Sequence, residues 1–87
     1  MIRMTFDEYD KKVSLYETKA PSIHYGLSAQ DIERMKASPD EYVDFAIYLS
    51  VQKMLKDDTI FYNQDALPKE EINSFLRHFL IDNLELI

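Results

Sequence analysis

Ser38-Pro39-Asp40-Glu41-Tyr42-Val43-Asp44-Phe45-Ala46-Ile47-Tyr48-Leu49-Ser50-Val51-Gln52-Lys53-Met54-Leu55 decides the fold of this chain. Its first four residues open a helix. Ser38 supplies a capping hydroxyl, and Pro39 suits the first helical position, where no amide donor is required. Glu41 lies three residues after the cap, within reach of the cap amide. Beyond them, positions 42, 43, 45, 46, 47, 48, 49, 51, 54 and 55 are apolar or aromatic. At about 100° per residue these positions cover the whole circumference. A helix with no polar face has to be surrounded by other elements. The segment 39–56 is therefore expected at the centre of a small all-α domain.

The neighbouring segments supply candidates to surround it. Upstream, Ser28 and Asp31 make a capping pair, and Leu27 is placed to staple onto Ile32. A short helix is expected over Ala29–Ala37, with Ile32 and Met35 facing inward. Almost no linker separates it from the central helix, so the two must meet at a sharp corner at Ser38-Pro39. Further upstream, Thr5 and Glu8 form a capping box, with Met4 and Tyr9 as its staple. Phe6, Tyr9, Val13, Tyr16 and Ala20 follow at steps of three or four, with Ile2 in line, and predict a first helix over Thr5–Lys19. Asp7/Lys11 and Glu8/Lys12 lie on its outer face, acid first, which is the favourable order. Pro21 stops it. Downstream, Ile72, Phe75, Leu76, Phe79 and Leu80 form an apolar stripe, continued by Leu84 and Ile87. They predict a fourth helix from near Pro68 to about Leu84 or the end of the sequence. Two connectors remain. Residues 20–27 hold the only Gly, Gly26, expected at positive φ. Residues 57–67 hold the unusually apolar Ile60-Phe61-Tyr62. The expected architecture is one domain over 1–87, with helices 1, 2 and 4 packed around helix 3.

Composition narrows the function. A single Gly in 87 residues disfavours strand hairpins. The absence of Cys excludes a disulfide scaffold, cysteine-ligated zinc, an iron–sulfur cluster and a thiol nucleophile. At this size it points to a reducing cytoplasm. No apolar run approaches a membrane span, and Met1-Ile2-Arg3-Met4-Thr5 lacks the features of a secretory signal. Sixteen acidic and ten basic residues give a net charge of −6. That weighs against direct binding to nucleic acid or anionic lipid and permits a basic protein partner. A charge of this size also serves solubility alone.

Catalytic signatures are weak. His24 and His78 lack an orienting acid and an oxyanion hole around a nucleophile. Asp40 and Asp44 share a helix face, but two carboxylates without a ligating loop are a poor metal site, and no EF-hand spacing occurs. Helices 2 and 3 are joined as tightly as in a helix-turn-helix. Helix 3, however, begins Pro-Asp-Glu-Tyr-Val-Asp, too acidic and apolar to read DNA. No enzyme, cofactor or metal is expected.

The acidic and aromatic residues are the remaining signal. Asp40, Glu41 and Asp44 crowd the start of helix 3, where the helix dipole alone already favours carboxylates. Tyr48 lies opposite the Val43/Ala46 side, and an exposed Tyr near acids is typical of protein-binding patches. With Asp57, Asp58, Phe61 and Tyr62 these residues form the expected partner-binding face. The expected function is a non-enzymatic inhibitor or regulator docking on a basic protein surface, such as that of a nucleic-acid-handling protein. In size and charge alone the chain is similar to bacteriocin immunity proteins and small phage-encoded inhibitors. The alternative is an assembly subunit, forming a homo-oligomer or joining a larger complex. It would use Leu15, Ile60, Phe61, Ile81 and Leu84-Glu85-Leu86-Ile87 as apolar contacts.

Overall fold

The computed structural model describes residues 1–18, 27–55 and 66–87, with side chains of the central helix described as far as Gln52. Residues 19–26 and 56–65, with His24, Gly26 and Ile60 among them, lie outside the described residues. The element order is β1 (Ile2–Met4), α1 (Phe6–Thr18), α2 (Ala29–Ala37), α3 (Pro39–Leu55), α4 (Lys69–Asn83) and β2 (Leu84–Leu86). The domain is all-α in class. Helix α3 packs against α1, α4 and α2, as its apolar circumference requires.

The helix starts follow local chemistry. Thr5 Oγ1 accepts from the Glu8 amide at 3.1 Å, opening α1. Ser28 and Asp31 complete a reciprocal capping box on α2. At the corner, one residue serves two helices. The Ser38 amide donates to Arg34 O at 3.1 Å, closing α2, and its carbonyl accepts from the Glu41 amide at 3.1 Å, opening α3. The backbone carbonyl of Ser38, rather than its hydroxyl, thus takes the Glu41 amide. Helix α4 starts after Pro68 with no side-chain cap. The Leu67 amide donates to Leu27 O at 2.9 Å, tying the approach to α4 to the approach to α2.

The core is continuous. Val43, Ala46, Ile47, Tyr48, Leu49 and Val51 of α3 are buried with Met4, Leu27, Met35, Ile72, Leu76 and Phe79. From α1, Tyr9, Val13 and Tyr16 pack onto this cluster while remaining half-buried. Phe6 does not follow its stripe: it is the first residue of α1 and 62% exposed. Met4, from the strand before it, takes the buried position instead.

The two strands are the main departure from the sequence expectation. Leu84–Ile87 do not extend α4. Asn83 Nδ2 donates to Phe79 O at 2.9 Å, and Leu84 is extended, with φ −125° and ψ 126°. The chain then pairs in parallel with β1, in the register Ile2↔Leu84, Arg3↔Glu85 and Met4↔Leu86. The Ile87 amide adds a bond to Met4 O at 2.9 Å. Burial alternates through β1 and from Leu84 to Glu85 as a pleat demands, while Leu86, in register with Met4, stays exposed. Met4 is buried and Ile2 and Leu84 are half-buried, whereas Arg3 and Glu85 are exposed and form an ion pair at 3.4 Å.

Ile47→Ala, at the centre of α3, is expected to lower stability by about 2–5 kcal/mol. Phe6→Ala is expected to change it by less than about 0.5 kcal/mol. Urea unfolding in dilute solution measures both. A larger loss for Phe6→Ala than for Ile47→Ala would overturn this assignment of the core.

Candidate functional site

The acidic face is only partly assembled among the described residues. Asp40 and Glu41 lie in the first turn of α3, exposed, and no cation among the described residues bridges either. The amides of the helix start favour both carboxylates. Asp44 is exposed one turn on, but Lys12 of α1 holds it, Nζ to Oδ1 at 3.0 Å. Asp57, Asp58, Phe61 and Tyr62 lie outside the described residues.

Tyr48 does not belong to this face. It is 7% exposed, and its ring meets Tyr16 edge-on, with centroids 5.3 Å apart and planes at 78°. The side of α3 opposite Val43 and Ala46 is the side that α1 covers. A helix that is apolar all round leaves no bare face for a tyrosine, so the expectation of an exposed Tyr48 is corrected. Tyr16 itself feels the ion pair above it. Burial raises its phenol above the ordinary value, Asp44 raises it further, and Lys12 pulls the other way.

Below the two tyrosines a polar group is built into the core. Gln52 is 2% exposed, and its Nε2 donates to Tyr16 O near the end of α1 at 3.0 Å. This bond fixes the end of α1 against α3. A buried amide left without it would cost about 1–3 kcal/mol.

A second surface feature was invisible in the sequence. An open groove of about 660 Å³ is lined by Tyr9 of α1, Ser50 of α3, and Asn73, Ser74, Leu76, Arg77 and His78 of α4. His78 Nδ1 lies 2.7 Å from Ser74 O. A carbonyl only accepts, so Nδ1 carries a proton and Nε2 is left for another partner. Ser50 Oγ donates to Ala46 O at 2.9 Å and retains acceptor capacity. The i,i+4 spacing of Asn73/Arg77 and Ser74/His78 was the available signal, but two polar pairs at that spacing occur on most solvated helix faces.

Exposed apolar side chains accompany the strands, beside the exposed ion pair of Arg3 and Glu85. Met1, Phe6, Ile81, Leu86 and Ile87 are exposed there, and each lies in or within three residues of β1 or β2. Leu15 is exposed at a distance from them along α1. Ile60 and Phe61, the other residues expected to make apolar contacts, lie outside the described residues. Among the described residues no group of three His, Asp or Glu side chains gathers to hold a metal ion. No described helix is long and apolar enough to cross a membrane.

No protein-family model matches the chain, and no curated protein or solved structure matches it at significance.

The tyrosine pair gives a pH prediction. An acid whose native pKa lies above its unfolded value of 10.0 keeps its proton longer in the folded state. The unfolded chain therefore binds fewer protons above that pH, and stability falls as pH rises. The contribution is intact below about pH 10 and is lost as pH climbs through the native midpoint. Asp44→Asn, which removes one of the two causes, should lower the Tyr16 midpoint in a tyrosine-resolved NMR titration. An unchanged midpoint would mean that Asp44 does not act on Tyr16.

Proposed function

We propose that this chain is a non-enzymatic assembly protein whose docking surface is the strand-bearing end, occupied by a second copy of itself. One observation carries the proposal. Of the six large apolar side chains exposed among the described residues, five flank the two strands. Burying a side chain of this size is worth about 1.5–3 kcal/mol, so leaving five in water at one end is costly unless something covers them. Grouped exposed apolar residues mark contact surfaces in soluble proteins.

Charge supports self-association at this end rather than elsewhere. Two copies at −6 each repel one another. At the strands, Arg3 is matched by Glu85 within the same molecule, which leaves the outer face of the pair locally neutral.

A second reading rests on those two carboxylates, which have no cation partner among the described residues. They suit a basic protein surface, and the chain would then act as an inhibitor or regulator of that partner, for example a nucleic-acid-handling protein. The two readings separate by salt. Apolar association is nearly insensitive to it, and docking through exposed carboxylates weakens with it.

Sedimentation equilibrium over a range of protein concentrations tests the proposal. The wild type should gain mass with concentration at both low and high salt. Ile81→Asp and Leu86→Glu, both at exposed positions, should remain monomeric while keeping the wild-type helical circular dichroism. A wild type that stays monomeric at all concentrations would overturn self-assembly.

A further inference from the structure

We infer that the groove between α1 and α4 is a binding site for a small organic anion that also carries a hydroxyl or amino donor. The groove lies between α1 and α4, and its lining shares no residue with either docking surface.

Three properties converge on that ligand. The first is uncompensated positive charge. Among the described residues no carboxylate bridges Arg77, although Arg3, Lys12, Arg34 and Lys36 all find one. A guanidinium on a protein of net charge −6 is ordinarily easy to pair. Left open at a groove wall, it offers two parallel N–H donors to a carboxylate or a phosphate. His78 sits beside it. The bond from Nδ1 to Ser74 O holds the ring and leaves Nε2 for a ligand.

The second property is an unmet acceptor. Asn73 Oδ1 is shielded from solvent and has no donor among the described residues. A buried oxygen in that state has given up its bonds to water without replacement, and a ligand O–H or N–H would supply one. Asn73 and Arg77 are one helical turn apart on α4, so a single molecule meets both. The third property is shape. The Tyr9 ring and Leu76 give an apolar wall, and a volume of about 660 Å³ suits a molecule with a flat ring. Small-molecule sites usually enclose about 300–1,000 Å³, with a few convergent polar groups on an apolar lining.

These demands define a probe. The molecule 4-hydroxyphenylacetate combines a carboxylate, a ring and a phenolic donor. Phenylacetate lacks the donor, 2-(4-hydroxyphenyl)ethanol lacks the charge, and phenyl phosphate exchanges carboxylate for phosphate. Titration of each into the ¹⁵N-labelled full chain should give saturable amide shifts centred on Asn73–His78 for the anions. The alcohol should give none. The relative affinity of phenylacetate and phenyl phosphate identifies the anion. Arg77→Gln should weaken 4-hydroxyphenylacetate at least about tenfold, a loss expected for a charge-assisted bond. Asn73→Ala should remove its advantage over phenylacetate, and the unchanged spectrum of α2 reports that the variants are folded. Linear, unsaturable shifts, shifts centred on Lys11 and Lys12 instead, or equal affinity in Arg77→Gln would each overturn the site.

Discussion

Val43, Ala46, Ile47, Tyr48, Leu49 and Val51 are all buried, and from Phe45 to Gln52 no residue of α3 is left exposed to water. Every other helix is placed by that constraint. Helix α1 covers one flank with Val13 and Tyr16, α4 covers another with Ile72, Leu76 and Phe79, and α2 contributes Met35. A domain of this length buries only about 60% of its unfolded surface, so its stability rests on few residues. Gln52 is the one polar side chain fully buried among the described residues, and it uses its amide to hold the end of α1. The same contact carries Tyr16 onto Tyr48 and brings Lys12 to Asp44. The acidic start of α3 is therefore coupled to the core through α1.

Much of this was legible locally. The bounds of α2 follow from Ser28, Asp31 and the inward Met35, all of which act within one turn. The central place of α3 follows from its circumference. Three features were not legible, each for a physical reason. The partner of Ile2–Met4 is Leu84–Leu86, at the far end of the sequence, and short segments reading Ile-Arg-Met and Leu-Glu-Leu fit a helix or a strand equally well. Phe6 matched the spacing of its stripe, but it opens α1, where Met4 already fills the core. Tyr48 seemed available on a bare side of α3, yet an all-apolar helix has none. Of the expected partner-binding face, Asp40, Glu41 and Asp44 are exposed, and Asp44 is shared with Lys12.

Parallel pairs of strands normally sit under cover on both faces. Here a two-stranded pair closes one end of a helical domain, with one face on the core and the ion pair of Arg3 and Glu85 on the other. An isolated two-stranded unit is only marginally stable in water. Its hold on the domain comes from Met4, Ile2 and Leu84, while Met1, Leu86 and Ile87 project beyond that hold. Self-association would cover both the apolar side chains and a strand pair that the domain alone supports on one face. The groove on α4 has a different chemistry: it gathers polar groups and a cation that no carboxylate among the described residues bridges, on a protein of net charge −6.

The most direct measurement is amide hydrogen exchange on the full chain, dilute and concentrated, resolved by residue. If the strand end is the contact surface, the amides of Ile2–Met4 and Leu84–Ile87 will exchange more slowly in the concentrated sample, and those of α2 will not change. Equal exchange of the strand amides at both concentrations would contradict a self-docking role for that end.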